Sequence, residues 1–427
     1  MTASVIPASN LRIGFVSTRF DSTDGVSLET LKWCHILSRL GHTCFFFAGL
    51  CDCPAGQYRL VPEAHFEHPD ILAIYTESFT QSVRSPETTR KIHEISQYLK
   101  EELYRFVKEF DIHLLLVENA LAIPLNIPLG IALTEFIAET GIHTIAHHHD
   151  FFWERERFLA NCVWDYLEMA FPPRLRSVRH VAINSLAADQ LAYRRGVSPW
   201  IIPNVMDFDH PPTPPDEYTD TLRVDLKLEP GHYLFLQPTR VVRRKGIEIS
   251  IELINRLNLP VNFVVSHSGG DEGDAYERHV RGYAKLLNVK TNFASDIVSE
   301  HRDRTPDGRK VYSLWDVYPF ADLVTYPSLL EGFGNGFLEA VYFRRPILVN
   351  NYTTYAVDIK PKGFRAIEFE GFITDETVAQ VRRVLTDKPY VQQMVEQNYQ
   401  LAKRFYSYGV LEHQLRALLH SFVGQAV

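Results

Sequence analysis

The chain has 427 residues, 45% hydrophobic and 12% aromatic, with 44 Lys and Arg against 52 Asp and Glu for a formal net charge of −8. That length accommodates two domains of roughly 200 residues with their own cores, and the acidic balance excludes the basic surface that non-specific nucleic-acid binding requires. No apolar run approaches the ~20 residues of a membrane span, and residues 1–10 lack the charged start and apolar core of a secretory signal, so a cytoplasmic protein is expected.

Short β-branched or aromatic runs alternate with longer amphipathic segments, the pattern of parallel sheets wrapped by helices. In the first half, strands are expected over 11–17, 43–48, 113–118, 143–147 and 180–184, with helices over 28–40 and 91–110. The second helix places Ile92, Ile95, Leu99, Leu103 and Phe106 on one stripe. Gly25 lies in the first strand-to-helix loop, where a missing Cβ allows close approach of a ligand. No Gly-x-Gly-x-x-Gly accompanies it, which argues against a dinucleotide oxidoreductase. Five cysteines, an odd count without zinc-type pairing, are expected as reduced thiols, Cys51 and Cys53 being too close in sequence for a usual bridge.

The run from Ala146 to Arg157 follows a strand and so falls at the carboxyl edge of the sheet. Its three consecutive histidines suggest a metal, but neighbouring side chains in a strand face opposite ways, and no second histidine pair supports a zinc site. His149 and Asp150 are the local candidates for chemistry, with His148 the alternate; a histidine satisfied by loop packing is the competing reading. Trp153 and Arg155 could stack on or pair with an acceptor, an anionic one included. Solvated pairs with Glu154 and Glu156 are the bland alternative.

The domain crossing is expected within 203–207, and the proline-rich segment 210–216 cannot serve inside a sheet. Asp207-Phe208-Asp209 reads as Asp-x-Asp, but its setting is that of a linker rather than a metal site. Strands follow at 233–237, 261–266, 323–326 and 347–350, with helices over 247–257, 276–287, 336–343 and 377–386. Arg240 ends a strand and Lys245 opens a helix, so both can face the carboxyl edge of the second sheet. Two cations there would neutralise a leaving diphosphate; Arg243 and Arg244 are read as surface. Residues 400–422 carry aromatics and leucines at helical spacing.

The run 327–339 carries most functional information. A strand feeds a loop with Gly332, Gly334 and Gly336, and an apolar helical pattern opens behind it. Free backbone N–H groups at such a helix start suit a phosphate-bearing ligand, with contacts from Phe333, Asn335 and the glycines mainly through backbone. Glu331 and Glu339 would be repelled by phosphate and should grip neutral hydroxyls. For Glu339, a position in the first helical turn has a competing explanation in the helix dipole. A ligand with a central diphosphate and polyols at both ends, a nucleotide sugar, fits this layout.

Glu331 and Glu339 resemble the Glu-x7-Glu motif of retaining glycosyltransferases of the GT-B fold, most closely glycosyltransferase family 4. Arg240 and Lys245 resemble the family's Arg-x4-Lys pair, and Pro203-Asn204-x-x-Asp207 is similar to its interdomain step. The resemblance implies an α/β chain of two Rossmann-like β/α/β domains facing across a cleft. An acceptor domain over 1–205, joined by the C-terminal helix 404–427, would precede a nucleotide-sugar donor domain over 206–403. Gly25 matches only part of the family's glycine-rich loop. The resemblance further implies donor contacts from Gly25, Arg240, Lys245, Glu331, Gly332 to Gly336 and Glu339, the last on the nucleotide ribose. It places His149 and Asp150 beside the reacting sugar, with Arg240, Lys245 and Glu331 also serving catalysis.

The function so implied is retaining transfer of a hexose from a UDP- or GDP-linked donor to a hydroxyl of a small soluble acceptor. A nucleotide-sugar epimerase or hydrolase, or a non-catalytic binding subunit, are the alternatives. No cofactor is required beyond the nucleotide sugar as co-substrate; a divalent metal is possible but not indicated, because Arg240 and Lys245 supply the charge.

Overall fold

The computed structural model describes residues 10–20, 25–269 and 275–422. Contacts divide the chain into one unit of Met1–Val205 with Tyr408–Val427 and a second of Met206–Ser407. Strands of the two main sheets are numbered in chain order.

The first unit holds β1 (Arg12–Val16), β2 (Thr43–Ala48), β3 (Tyr58–Leu60), β4 (Leu114–Glu118), β5 (His143–His148), β6 (Val178–Ala182) and β7 (Trp200–Ile201). Their spatial order is β3-β2-β1-β4-β5-β6-β7, and every pairing is parallel. This is the doubly wound order, with the first strand central and the chain reversing beside it. Strands β1, β2 and β4 are apolar along most of their length because helices cover both faces.

The expected stripe helix runs from Pro86 to Glu109, its start fixed by Ser85, whose hydroxyl accepts the Thr88 N–H at 3.0 Å. Ile92, Leu99, Leu103 and Phe106 are buried, and burying each such side chain contributes about 1.5–3 kcal/mol. On the other sheet face, Trp33, Ile36 and Leu37 pack with Leu411, Leu415 and Leu418 from the helix Tyr408–His420. The helix expected from 404 begins at Tyr408 instead, because the extended backbone of Ser407 ends the preceding helix Lys388–Tyr406.

Two cysteine expectations part ways. Cys34, Cys44 and Cys162 are free, whereas Cys51 and Cys53 are disulfide-bonded, contrary to the expectation of free thiols there. Their Cα atoms stand 5.3 Å apart, within the ordinary range for a bridge.

The second unit repeats the design with β8 (Tyr233–Gln237), β9 (Val261–Val265), β10 (Thr291–Phe293), β11 (Leu323–Tyr326), β12 (Ile347–Asn350) and β13 (Ile367–Phe369). Their order is β10-β9-β8-β11-β12-β13, again parallel throughout. Residues 211–216 form neither helix nor strand. The Asp-x-Asp carboxylates go separate ways, Asp207 to His210 at 2.9 Å and Asp209 to Lys403 at 3.3 Å. They do not form a shared chelate. Among the described residues, no helix is long and apolar enough to cross a membrane.

Candidate active site

At the carboxyl edge of the second sheet, β8 ends on Gln237, which is fully buried and cross-links three elements. Its side-chain oxygen accepts from Ser250 at 2.9 Å and Thr325 at 2.8 Å, and its amide donates to Thr239 at 3.0 Å. The loop that follows carries Arg240, exposed, and Lys245, buried at the start of the helix Ile247–Leu257. Gly246, which joins Lys245 to that helix, has φ +57°, and a Cβ there would stand 2.7 Å from the Pro327 carbonyl oxygen. The cation loop and the glutamate loop therefore touch through backbone, and Leu329 N–H donates to the Arg244 carbonyl at 2.8 Å.

That contact sets up the central feature of the site. The Lys245 ammonium and the Glu331 carboxylate form a direct, buried ion pair, and Arg244 reaches the other Glu331 oxygen at 3.5 Å. Burial pushes the Lys245 pKa below its usual range, against the pull of Glu331. Burial acts to raise the Glu331 carboxyl, but Lys245 and Arg244 outweigh it and hold it low. Arg244, read from sequence as surface, thus belongs to the cluster. His267, just beyond β9, was not singled out from sequence either. It is pushed down to about 4 by burial and by the nearby charges of Arg240 and Lys245, so its ring is neutral.

The helix predicted behind the glycine loop is Asn335–Tyr342. Gly334 precedes it at φ +113°, where a Cβ would meet the Tyr352 hydroxyl at 2.3 Å. That hydroxyl instead donates to the Phe333 carbonyl at 2.9 Å, holding the loop. Phe333 itself is buried edge-on against Tyr406 at 5.3 Å, so it offers backbone rather than its ring. Gly332 is exposed and Gly336 buried. Glu339 lies in the second helical turn rather than the first, and Tyr318 donates to it at 2.6 Å. The helix dipole therefore does not account for it.

In the first unit, Gly25 opens the helix Gly25–Arg39, while residues 21–24 of the same loop lie outside the described residues. The histidine run divides by strand alternation. His147 and His149 share one face with Glu118, the last residue of β4, whose partner across the sheet is His147. His149 Nε2 hydrogen-bonds Glu118 at 3.1 Å, and its N–H donates to Asn119 Oδ1 at 3.1 Å. Asn119 in turn donates to Asp150 at 3.0 Å, and Asp150 also pairs with Arg155. Burial acts to raise the Glu118 carboxyl, but His147 and His149 hold it at about 2. Burial would lower His149, but Glu118 outweighs it and raises its pKa. Glu118 has no local sequence signature; only the β4–β5 register reveals it.

His148 points the other way, into the core, where its Nε2 meets His180 Nδ1 at 2.9 Å. This corrects its candidacy as an acceptor contact: alternation removes it from the His149 face. Trp153 is likewise committed to packing, stacked on Phe151 at 4.5 Å and donating to Gln190 at 2.6 Å. Arg155 keeps a part-exposed guanidinium, but bound to Asp150.

The His148–His180 pair has a pH consequence. Burial lowers both, His180 to about 4. A histidine buried neutral stabilises fully above its unfolded pKa near 6.5, and that contribution drains away as pH falls towards 4. For His180 alone this amounts to about 3 kcal/mol. The unfolding midpoint should fall between pH 7 and 4.5, and fall less in His180→Asn; equal pH slopes would refute the account.

The glycosyl transferases group 1 family matches residues 219–401, within the second unit. Mannosylglucosylglycerate synthase from Thermotoga maritima is 30% identical over 436 residues, covering 94% of this chain and 98% of that protein. The enzyme of the same name from Petrotoga mobilis is 31% identical over 387 residues, covering 84% and 86%. Among solved structures, a glycosyltransferase from Rickettsia africae superposes with a TM-score of 0.68 over 97% of this chain and 99% of its own, at 13% identity, a likeness of GT-B fold alone. With relatives this similar along nearly its whole length, the chain belongs to the group 1 glycosyltransferases.

Proposed function

We propose that this glycosyltransferase moves a hexose from a nucleotide sugar to a hydroxyl of a small acceptor with retention of anomeric configuration. The second unit would hold the donor and the first unit the acceptor. The observation that carries the donor site is the buried Lys245–Glu331 pair beside Arg240 and the N-terminus of the helix Asn335–Tyr342. As the glycosidic bond breaks, negative charge develops on the departing diphosphate. Arg240, Lys245 and the N–H groups at 333–335 supply preorganised positive charge there. Glu331, oriented by Lys245, accepts a hydrogen bond from a sugar hydroxyl, and Glu339, oriented by Tyr318, accepts from the ribose. His149 and Asp150 act on the acceptor side, with the acceptor attacking from the face the diphosphate leaves.

Both full-length relatives are named mannosylglucosylglycerate synthases. The names support a mannosyl group as the hexose and a glucosylglycerate, a polyol bearing one carboxylate, as the acceptor. A local cation on the acceptor side would receive that carboxylate against the chain's net charge of −8.

Thermal unfolding with millimolar UDP, GDP, ADP and dTDP tests the donor site. A nucleotide at 100 times its dissociation constant adds about 2.7 kcal/mol. One nucleotide should raise the midpoint, and its mannose ester should then yield a glycoside of glucosylglycerate. No shift from any of them would sink the donor reading. Free hexose released without acceptor would indicate a hydrolase instead.

A further inference from the structure

We infer that Glu118, His147 and His149 form a binding site for one divalent transition-metal ion at the carboxyl edge of the first unit's sheet. The sequence alone argues against a metal here because three adjacent histidines cannot converge. The fold answers that objection: His148 turns to His180, while His147 and His149 remain on one face, and β4 delivers Glu118 between them.

The two Glu118 contacts are slightly shorter than a tetrahedral edge. Glu118 Oε2 stands 3.0 Å from His147 Nδ1 and 3.1 Å from His149 Nε2. All three donor atoms lie within 4.8 Å of one another. Ligand atoms bound at about 2.0–2.1 Å around a tetrahedral ion are separated by roughly 3.3 Å, so the two Glu118 contacts open slightly on coordination while the His147–His149 edge closes from at most 4.8 Å. Two imidazoles and one carboxylate leave a fourth position open, and this donor set suits Zn2+, Co2+ or Mn2+ rather than the all-oxygen shells of Ca2+ and Mg2+.

Unsatisfied buried atoms point to the same conclusion. The side chains of His147 and Glu118 are 1% and 0% exposed. Despite the short His147–Glu118 separation, the geometry is not that of a hydrogen bond. Both His147 ring nitrogens and Glu118 Oε1 lack a hydrogen-bond partner among the described residues, Nδ1 keeping only its ionic contact with Glu118 Oε2. An imidazole buried with its bonds unmade is destabilising, and such groups in native proteins ordinarily have a reason. Coordination through Nδ1 supplies one. The surroundings also fix the ring: Trp33 stacks on His147 at 4.3 Å. Behind it the buried Glu29, held by Lys32 at 2.5 Å, adds negative potential felt by both imidazoles.

Binding of Co2+ alone, to chelator-stripped full-length protein, tests this without reference to turnover. Elemental analysis should give one ion per chain, with the strong visible d–d bands of four-coordinate Co2+, removed by Zn2+. Glu118→Gln keeps the side-chain volume and should weaken binding by at least about tenfold, and His147→Ala should abolish the bands. Asp207→Asn, in the Asp-x-Asp segment, should leave them unchanged. The proposal fails if wild-type protein binds no stoichiometric Co2+, if Glu118→Gln binds Co2+ as tightly as wild type, or if Asp207→Asn removes the bands. Should His147→Ala not fold, the wild-type spectrum and Glu118→Gln decide.

Discussion

Lys245→Ala is expected to cut turnover by about a hundredfold and to destabilise the protein as well. The first effect follows from removing a fixed cation from the place where diphosphate charge develops, a loss of roughly 3 kcal/mol of transition-state stabilisation. The second follows from the ion pair. From sequence, Lys245 and Glu331 have separate tasks, phosphate and sugar hydroxyl, and removing the lysine should leave the fold intact. In the structure they neutralise each other at about 10% exposure. Breaking a buried pair by deleting one partner strands the other, at about 3–5 kcal/mol, moderated by Arg244 at 3.5 Å.

The two effects separate in the double variant Lys245→Ala/Glu331→Gln. With no stranded carboxylate, its unfolding midpoint should recover most of the loss, while turnover stays low. Turnover near normal in Lys245→Ala would remove this residue from the site. An unchanged midpoint would mean that Arg244 alone satisfies Glu331. The same nucleotide that raises the wild-type midpoint should lose its effect in both variants.

What the sequence made legible has a physical pattern. Strands buried on both faces, such as β1, β4, β8 and β11, announce themselves as apolar runs. The short strands β3, β7, β10 and β13, of two or three residues, carry too few residues to show a period. The helix Ile127–Thr140 escaped because it is buried on nearly all sides and so has no polar face to set a rhythm. The glycine loop and the helix behind it were legible because the pattern is local: Glu331, the glycines and Glu339 lie within nine residues. Glu118 was not, since its partner His149 is 31 residues away and only parallel register joins them. Arg244 was set aside because a basic run offers no internal clue to which member turns inward.

In chelator-stripped protein, where His149 Nε2 is free of metal, His149→Ala should lower the rate of transfer by about two orders of magnitude while leaving the nucleotide-induced rise in midpoint intact. Positioned groups that move or hold a proton are worth about 10²–10⁴ in rate, and the proposed donor contacts belong to the other unit. The alanine variant alone is ambiguous, because it deprives the fully buried Glu118 of its aligned hydrogen bond and so costs stability. His149→Gln resolves this. Its amide can still donate to Glu118 and fill the space, but it cannot exchange a proton. If His149 acts on the reacting groups, His149→Gln should melt near the wild-type temperature and remain about as slow as the alanine variant. If His149 merely packs, the glutamine variant should recover its rate along with its stability. Loss of rate without loss of stability places the residue in the chemistry, and the difference is read from two measurements on one protein.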